Sequence, residues 1–138
     1  MKGRDSLMIR LFRSDLQGRD FYALMGPHFA SLDIAKELER QVYNKPNTDW
    51  VVDGVGFNAY GFVSVHAENN RYFIDNLYVL PEFRNKGIAR KLIERVCDVY
   101  NDKLLHCIAC NPYALKIFEK FGFVEVGERG KYKKLEKH

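Results

Sequence analysis

Leu80-Pro-Glu-Phe-Arg84-Asn-Lys-Gly87-Ile-Ala89-Arg-Lys-Leu92 joins the end of an apolar strand to the start of a helix. Pro81 ends the strand because its ring removes a backbone donor from the sheet. Apolar residues then recur at helical spacing, which predicts a helix over residues 87–100. The start of such a helix presents unpaired N–H groups and partial positive charge, so the loop before it is suited to hold an anion.

Four basic residues crowd this helix start: Arg84, Lys86, Arg90 and Lys91. Positive side chains there oppose the helix dipole, which favours a bound anion that compensates them. We therefore predict a phosphate-bearing ligand, with a solvated basic helix start as the alternative. The loop fits neither the P-loop nor the G-x-G-x-x-G pattern, which argues against nucleotide hydrolysis and hydride transfer.

The residues upstream predict a strand followed by two helices. Residues 8–13 alternate like a strand, and Ser14-Asp-Leu-Gln17 has the spacing of a capping box, which predicts a helix from Ser14. Gly26-Pro27 is expected to interrupt that helix. Ser31 is the predicted cap of the second helix.

Three strands are predicted next. Residues 50–52 and 60–66 form two strands around a turn that contains Asp53-Gly54. Asn69-Asn70 supplies the following turn, and residues 72–79 are apolar on both faces, which is typical of a central strand.

After the helix at residues 87–100, residues 104–109 predict a short strand. Asn111 and Pro112 then provide an N-cap and a first helical residue, and Gly122 is placed for a left-handed C-terminal cap. Residues 123–135 read as a hairpin. The predicted fold is α/β (α+β): a mixed, mostly antiparallel twisted sheet flanked by helices, in the order β-α-α-β-β-β-α-β-α-β-β.

These segments carry a family resemblance. Leu77-Tyr-Val79 with Pro81-Glu-Phe-Arg84-Asn-Lys-Gly87-Ile-Ala89 resembles motif A of the GNAT acetyltransferases, and residues 111–123 resemble motif B. The two linked motifs cover about the last two thirds of the chain, and the remaining elements follow the family order. The resemblance implies acetyl-coenzyme A as the cosubstrate and transfer of its acetyl group to a primary amine.

The resemblance also implies which residues bind the coenzyme. The pyrophosphate is expected on the backbone N–H groups of a loop formed by Arg84, Asn85, Lys86, Gly87, Ile88 and Ala89, with Arg84 at the first basic position of the motif. Leu77 and Val79 are expected to pair their main chains with the pantetheine arm, where the strand splays from its neighbour at a bulge. Tyr78, Asn111 and Phe118 complete the set.

The predicted catalytic set is Val79, Asp75 and Tyr113. By the resemblance, the Val79 N–H polarises the thioester carbonyl. Direct attack by an amine also needs a base, for which Asp75 leads because alternation places it on the same face as Leu77 and Val79. A structural role for Asp75 carries equal weight.

Glu68, His66 and a water chain are weaker candidates for the base. Many family members carry tyrosine, a general acid, at the position of Phe118. Phenylalanine donates no proton, so Tyr113 and Tyr78 are the substitutes, although either ring could simply pack in the core.

The acceptor remains open between a small molecule, a peptide and a protein. The alternatives are an aminoacyl-tRNA acetyltransferase, for which positive charge is permissive, and a non-catalytic acyl-CoA-binding regulatory module. The resemblance places the acceptor pocket between the first two helices and the last hairpin, with Phe21, Tyr22, Phe29 and residues 127–130 as its lining.

Composition bounds the class of protein. The 138 residues, 46% hydrophobic and 29% charged, predict one domain over residues 1–138 with residues 1–7 flexible. A net charge of +4 does not by itself imply nucleic acid. No apolar stretch predicts a membrane span or secretory signal, so we expect a cytoplasmic protein, monomeric or homodimeric.

The cysteines and histidines predict no metal site. The three cysteines are an odd number, which suits a reducing compartment. Cys107 and Cys110 have the spacing of a redox pair but lie in an apolar run, so we interpret them as buried structural thiols. The four histidines show no ligand spacing with cysteines or carboxylates.

Overall fold

The computed structural model describes residues 9–138. Across these residues seven strands form one sheet in the order β1-β2-β3-β4-β5-β7-β6. The strands are β1 (Ile9–Phe12), β2 (Thr48–Val55), β3 (Asn58–Glu68), β4 (Arg71–Val79), β5 (Leu105–Ala109), β6 (Val124–Arg129) and β7 (Tyr132–Lys137). The flexibility predicted for residues 1–7, and the strand start predicted at Met8, lie outside the described residues.

Four α-helices of the described chain flank the sheet: α1 (Arg19–Phe29), α2 (Leu32–Leu38), α3 (Ile88–Val99) and α4 (Pro112–Lys120). A short 3-10 turn, Pro81–Phe83, follows β4. The β4–β5 pair is parallel and the other strand pairs are antiparallel. The predicted fold class, element order and central position of β4 are therefore confirmed.

Each face of the sheet carries its own apolar core. On one face, Leu92 and Ile93 of α3 and Phe118 of α4 form a core with buried strand residues that include Val63. On the other, α1 and α2 cover an aromatic cluster around the fully buried Trp50 and Phe62. Because helices cover both faces, the central strands are apolar on both sides, as residues 72–79 predict.

The predicted start of the first helix is wrong. Helix α1 begins at Arg19 after Gly18, not at Ser14. The Ser14 N–H donates instead to the Asp49 carboxylate at 2.9 Å, and the Gln17 amide donates to the carbonyls of Phe12 and Thr48. Both ends of the supposed capping box are therefore used by tertiary contacts.

Pro27 does not interrupt α1, which continues to Phe29. A proline this close to the end of a helix removes a single backbone hydrogen bond. The rings of Phe29 and Trp50 pack at 5.3 Å between centroids, so burial holds the last turn against the sheet. Ser31 caps α2 as predicted, since its hydroxyl accepts from the Ile34 N–H at 3.2 Å.

The turn between β2 and β3 falls later than predicted. Asp53 and Gly54 lie in β2 at a register shift, and Gly56, with φ of 60°, belongs to the turn. A Cβ on Gly54 would lie 2.1 Å from the Asn58 carbonyl oxygen, so the glycine serves close strand packing. The Asn69-Asn70 turn is confirmed, with φ of 52° and 63°.

A bulge in β4 changes which side chains share a face. Ser64 pairs with Asp75 and Phe62 with Tyr78, so two residues of β4 oppose Val63 alone. Asn76 adopts φ of 54° there. The bulge turns Asp75 toward the α1–α2 side, whereas Leu77 and Val79 pack on the α3–α4 core. The prediction that Asp75 shares their face was wrong.

The cysteine interpretation holds for one residue of the Cys107–Cys110 pair. Cys107 is buried and Cys110 is exposed. Burial raises the pKa of the Cys107 thiol to about 12, so this sulfur stays protonated. Cys110 lies just beyond the end of β5, outside the apolar strand.

Candidate active site

A groove of about 330 Å³ opens at the carboxyl end of β4. One wall is formed by Leu77, Tyr78 and Val79, and the floor by the loop that enters α3. The start of α4 forms another wall, and Glu37 and Leu38 of α2 complete the lining. The volume lies in the range of small-molecule sites.

The backbone of β4 is accessible along this groove because the sheet opens. The parallel ladder pairs Tyr72 with Leu105 and Ile74 with Cys107, and within the described residues it stops there. Strand β4 continues to Val79, so its last residues run along an opened edge. The predicted splay and bulge are both confirmed.

The loop over residues 84–89 has the backbone form of an anion site. Asn85 and Gly87 take φ of 64° and 77°, and successive turns of this kind point N–H groups in one direction. Helix α3 follows without a side-chain cap or an acidic residue in its first turn. Its first N–H groups are thus available to an anion.

Helix α4 supplies the second wall. The Asn111 side chain accepts from the Tyr113 N–H at 2.8 Å, which fixes the helix start beside the groove. Tyr113 lines the groove, and 56% of it is exposed. The predicted N-cap at Asn111 and the left-handed Gly122, with φ of 94°, are confirmed.

Arg84 and Glu37 both line the groove and contact each other directly. The Arg84 guanidinium donates to the Glu37 carboxylate at 2.7 Å and to the Val79 carbonyl at 2.9 Å. The Tyr78 hydroxyl donates to the other Glu37 oxygen at 2.7 Å. The Arg84 side chain is thus engaged by Glu37 and the end of β4, whereas the phosphate site was predicted on the backbone N–H groups of the loop.

Comparison with known proteins identifies the fold family. A model of the Acetyltransferase (GNAT) family matches residues 14–123, which include the groove, its loop and both wall elements. The chain belongs to the GNAT acetyltransferase family. The predicted resemblance is confirmed.

Two relatives are enzymes named for N-acetylation. Spermidine N(1)-acetyltransferase of Vibrio cholerae is 31% identical over 108 residues, and the match covers 72% of this chain and 62% of that relative. Thialysine N-epsilon-acetyltransferase of Sus scrofa is 29% identical over 65 residues, covering 47% of this chain and 35% of the relative. This GNAT chain therefore spans only part of the length of these relatives.

Solved structures share the fold across almost the whole chain. Escherichia coli ElaA superposes with a TM-score of 0.74 at 12% identity, covering 94% of this chain and 98% of ElaA. The PaiA N-acetyltransferase of Thermoplasma acidophilum, in complex with coenzyme A, gives 0.64 at 15% identity, with coverage of 94% and 98%. At such identities the likeness shows the GNAT fold alone.

Most of the predicted coenzyme residues of this GNAT chain line the groove together: Leu77, Tyr78, Val79, Arg84, Asn85, Gly87, Ile88, Ala89 and Asn111. Lys86 lies in the same loop but is exposed and is not part of the lining. Phe118 lies apart from this lining. It is 3% exposed and packs edge-on against Phe123 at 5.1 Å between ring centroids.

Asp75 lies outside the groove lining. Its carboxylate pairs with Arg40 and accepts the Asn76 N–H at 3.0 Å. Arg40 also donates to the Asn76 amide oxygen at 3.0 Å, and the Asn76 amide donates to the Ser64 hydroxyl at 3.0 Å. This network satisfies the polar groups of the bulge, where an unpaired buried group would be costly.

Glu37 is the groove residue that sequence reasoning missed. It lies on α2, the seven-residue helix LDIAKEL, among the charges of Asp33 and Lys36. Nothing in the sequence of α2 distinguishes Glu37 from the other charged residues of that helix. Hydrogen bonds from Tyr78 and Arg84 lower the pKa of Glu37, and burial with the Glu37 contact raises the pKa of Tyr78 to about 12.

The residues predicted to line the acceptor pocket do not meet the groove. Phe21 is 1% exposed and its ring packs on Trp50 and Phe29 in the aromatic core. The Tyr22 hydroxyl accepts from Asn44 at 3.0 Å on the outside of α1. Phe21 and Phe29 thus belong to the aromatic core, as aromatic residues at helical spacing usually do.

Residues 9–138 contain no cluster of three or more histidines, cysteines or carboxylates arranged to bind a metal ion. Within the same range, no helix has the length and apolar character needed to span a membrane.

Proposed function

We propose that this protein transfers the acetyl group of acetyl-coenzyme A to a primary amine. The observation that carries the proposal is the groove itself, where an opened edge of β4 runs beside an uncapped helix start. The two relatives compared above, a spermidine and a thialysine N-acetyltransferase, also support an amine acceptor.

The groove residues suit the parts of the coenzyme. N–H groups over residues 84–89 would hold the pyrophosphate, since they end at an α-helix start with no competing acid. The main chains of Leu77 and Val79 would pair with the pantetheine amides along the opened strand edge. Asn111 would meet the arm from the other wall.

The acceptor nitrogen would attack the thioester carbonyl carbon directly. A C–N bond forms and the C–S bond breaks. A nitrogen that arrives as ammonium gives up two protons, one before it attacks and one afterwards, and the sulfur takes one proton. The products are an amide, a free thiol and one proton released to the solvent. The Val79 N–H would stabilise the negative charge that develops on the carbonyl oxygen, because a fixed donor needs no reorganisation.

Tyr113 is the better of the two tyrosines to protonate the departing sulfur. It lines the groove with its ring partly exposed. Tyr78 already donates its proton to Glu37, and its raised pKa of about 12 makes it a weak acid. A thiol with a reference pKa of about 8.5 leaves readily, so one weak acid is sufficient.

Of the two roles open for Asp75, its contacts favour the structural one. The carboxylate is held by Arg40 and by the Asn76 N–H on the side of β4 away from Leu77 and Val79. Proton removal from the amine would then run through water to the solvent, as the open groove permits.

Coenzyme A release tests this function. The protein is incubated with acetyl-coenzyme A and a panel of small amines, peptides and aminoacyl-tRNA, and free thiol is measured with and without each acceptor. We expect acceptor-dependent release with formation of the N-acetyl product. Tight coenzyme binding without release for any acceptor would instead support a non-catalytic acyl-CoA-binding module.

A further inference from the structure

We propose that Glu37 binds the ammonium group of the acceptor, and that coenzyme binding makes Glu37 available by drawing Arg84 onto phosphate. The inference rests on the proposed acetyl transfer and names its substrate class, an amine that is positively charged when it binds. Glu37 and Arg84 would then couple the two substrate sites.

The charge content of the groove singles out this pair. Among the described residues that line the groove, Glu37 is the one carboxylate and Arg84 the one cation. A cationic acceptor that enters the groove thus meets a single complementary charge. In the structure the Glu37 carboxylate is already paired with the Arg84 guanidinium, at 2.7 Å.

Glu37 also lies close to the expected position of the thioester. The Arg84 guanidinium bridges Glu37 and the Val79 carbonyl, with contacts of 2.7 and 2.9 Å. Only the Arg84 guanidinium therefore separates the carboxylate from the end of β4. An ammonium group is smaller than a guanidinium and could take the same place, which would bring the acceptor nitrogen beside Val79.

Arg84 gives up three contacts when it moves to phosphate: the Glu37 carboxylate, the Val79 carbonyl and the face of the Tyr78 ring at 5.3 Å. The first of these, the ion pair, is exposed. The side chains of both partners are more than two fifths exposed, at 41% and 44%. An exposed ion pair of this kind contributes little free energy, because water already screens it. Arg84 also begins the loop that leads into α3, so a coenzyme phosphate there would offer it an acceptor with more negative charge.

Tyr78 keeps Glu37 ready for a cation. Its hydroxyl donates to one carboxylate oxygen at 2.7 Å and stays when Arg84 leaves, which fixes the orientation of the other oxygen. The Tyr78 hydrogen bond lowers the pKa of Glu37 and does not depend on Arg84, so the carboxylate stays ionised at neutral pH after Arg84 has left. A charged, oriented carboxylate is suited to bind ammonium.

Two other carboxylates near α2 have partners that the coenzyme loop does not provide. Glu39 pairs with Lys131 at 3.1 Å, and Asp75 pairs with Arg40. Neither lines the groove. Glu37 is thus the member of this acidic group whose partner is also a predicted phosphate ligand.

The coupling is tested by binding alone. The affinity of n-butylamine, which is charged at neutral pH, is measured by NMR titration with and without saturating coenzyme A. We expect the coenzyme to strengthen amine binding about tenfold in the wild type, within the usual range of such couplings. The coupling should vanish in Arg84→Gln and in Glu37→Gln. An undiminished coupling in folded Arg84→Gln would overturn the proposal.

The substrate class is tested by turnover. Glu37→Gln is compared with the wild type on n-butylamine and on aniline, which is neutral at the assay pH. We expect KM for the charged amine to rise about tenfold, because one charge-assisted hydrogen bond is lost. KM for aniline should change little. Glu119→Gln, an exposed glutamate on α4, is the matched control.

The outcomes separate the inference from the proposed function. Equal losses on both amines in Glu37→Gln would overturn the role in charge recognition while leaving acetyl transfer intact. No acetylation of any amine by the wild type would remove the proposed function, and the binding titrations would still decide whether Glu37 and Arg84 couple the two sites.

Discussion

Asp75 differs from its predicted role because of its neighbour Asn76. With φ of 54°, Asn76 creates a bulge that moves Asp75 to the opposite face from Leu77 and Val79. Asparagine tolerates this backbone conformation better than most residues do. Strict alternation along a strand places side chains correctly only where no residue is inserted, and residues 72–79 contain no glycine to signal the bulge.

Asp75→Asn is therefore expected to reduce stability rather than catalysis. The change removes the charge that Arg40 and the Asn76 N–H contact. We expect the free energy of unfolding to fall by about 0.5–2 kcal/mol, because the pair is partly exposed, with kcat per folded molecule close to the wild type. Urea unfolding and thiol release measure the two effects.

A general base at Asp75 would give the reverse result. Turnover would fall strongly with little change in stability, and the loss would shrink at high pH, where more of the acceptor amine is neutral. That pattern would return the proton-removing role to Asp75.

Tyr113→Phe tests the other proton transfer. Tyr113 lines the groove, and if its hydroxyl protonates the departing sulfur, kcat should fall about tenfold or less, because thiolate is already a good leaving group. KM for acetyl-coenzyme A should not change. Phe118→Tyr is the comparison, since Phe118 lies in the core outside the groove lining. An unchanged kcat in Tyr113→Phe would assign the sulfur's proton to water.

The predicted boundaries of helices and strands were correct where a capping or turn residue within a few positions determines them. Ser31, Asn111 and Gly122 act at the positions that their residue types predict. The start of α1 failed because Ser14 is bound by Asp49, which lies 35 residues later in the sequence. A contact between residues so far apart cannot be recognised in a short segment of sequence. Glu37 was not predicted for the same reason.

Asp49 also connects β1 and α1 to the end of α3, through Tyr100. The Tyr100 hydroxyl donates to the Asp49 carboxylate, and the residue is 4% exposed. Tyr100→Phe leaves the carboxylate one donor short, so we expect the free energy of unfolding to fall by about 1.5–3 kcal/mol. Urea unfolding measures it, with Tyr43→Phe, at a 54% exposed tyrosine, as the control. Equal midpoints for wild type and Tyr100→Phe would contradict this.

The same contact has a pH signature. Burial, with the hydrogen bond to Asp49, raises the pKa of Tyr100. A raised folded-state pKa means that the contribution is complete below the unfolded pKa of about 10 and is lost as pH rises above it. The stability difference between wild type and Tyr100→Phe should therefore narrow above about pH 10.

The whole sheet explains why the groove lies where it does. Strands β4 and β5 are the parallel pair, and each is followed by a helix, α3 or α4. Both helices therefore begin at the carboxyl end of their strand, which is where ligands of such units bind. Two helix starts meet an opened strand edge at one point, and this follows from the element order that the sequence predicted.

Coenzyme binding at that point should stabilise the entire chain. A ligand that binds only the folded protein adds about 2.7 kcal/mol when present at a hundred times its dissociation constant. For a chain of this size, that corresponds to a rise in Tm of roughly 5–10 °C in a thermal scan with acetyl-coenzyme A. The rise should grow with the logarithm of coenzyme concentration.

The double variant Arg84→Ala with Gly87→Glu tests whether the loop over residues 84–89 carries that binding. Glutamate introduces a negative charge at the start of α3, and at φ of 77° it adopts a conformation that glycine tolerates better, so some intrinsic stability is lost. The expected result is a lower Tm without ligand and no rise with acetyl-coenzyme A. The matched control Lys116→Ala with Lys120→Gln lowers the net charge by the same two units at exposed positions of α4 and should retain the rise. A folded Arg84→Ala, Gly87→Glu variant that is stabilised as strongly as the wild type would remove the loop from the coenzyme site, because a binding free energy unchanged by a reversed local charge cannot depend on phosphate held there.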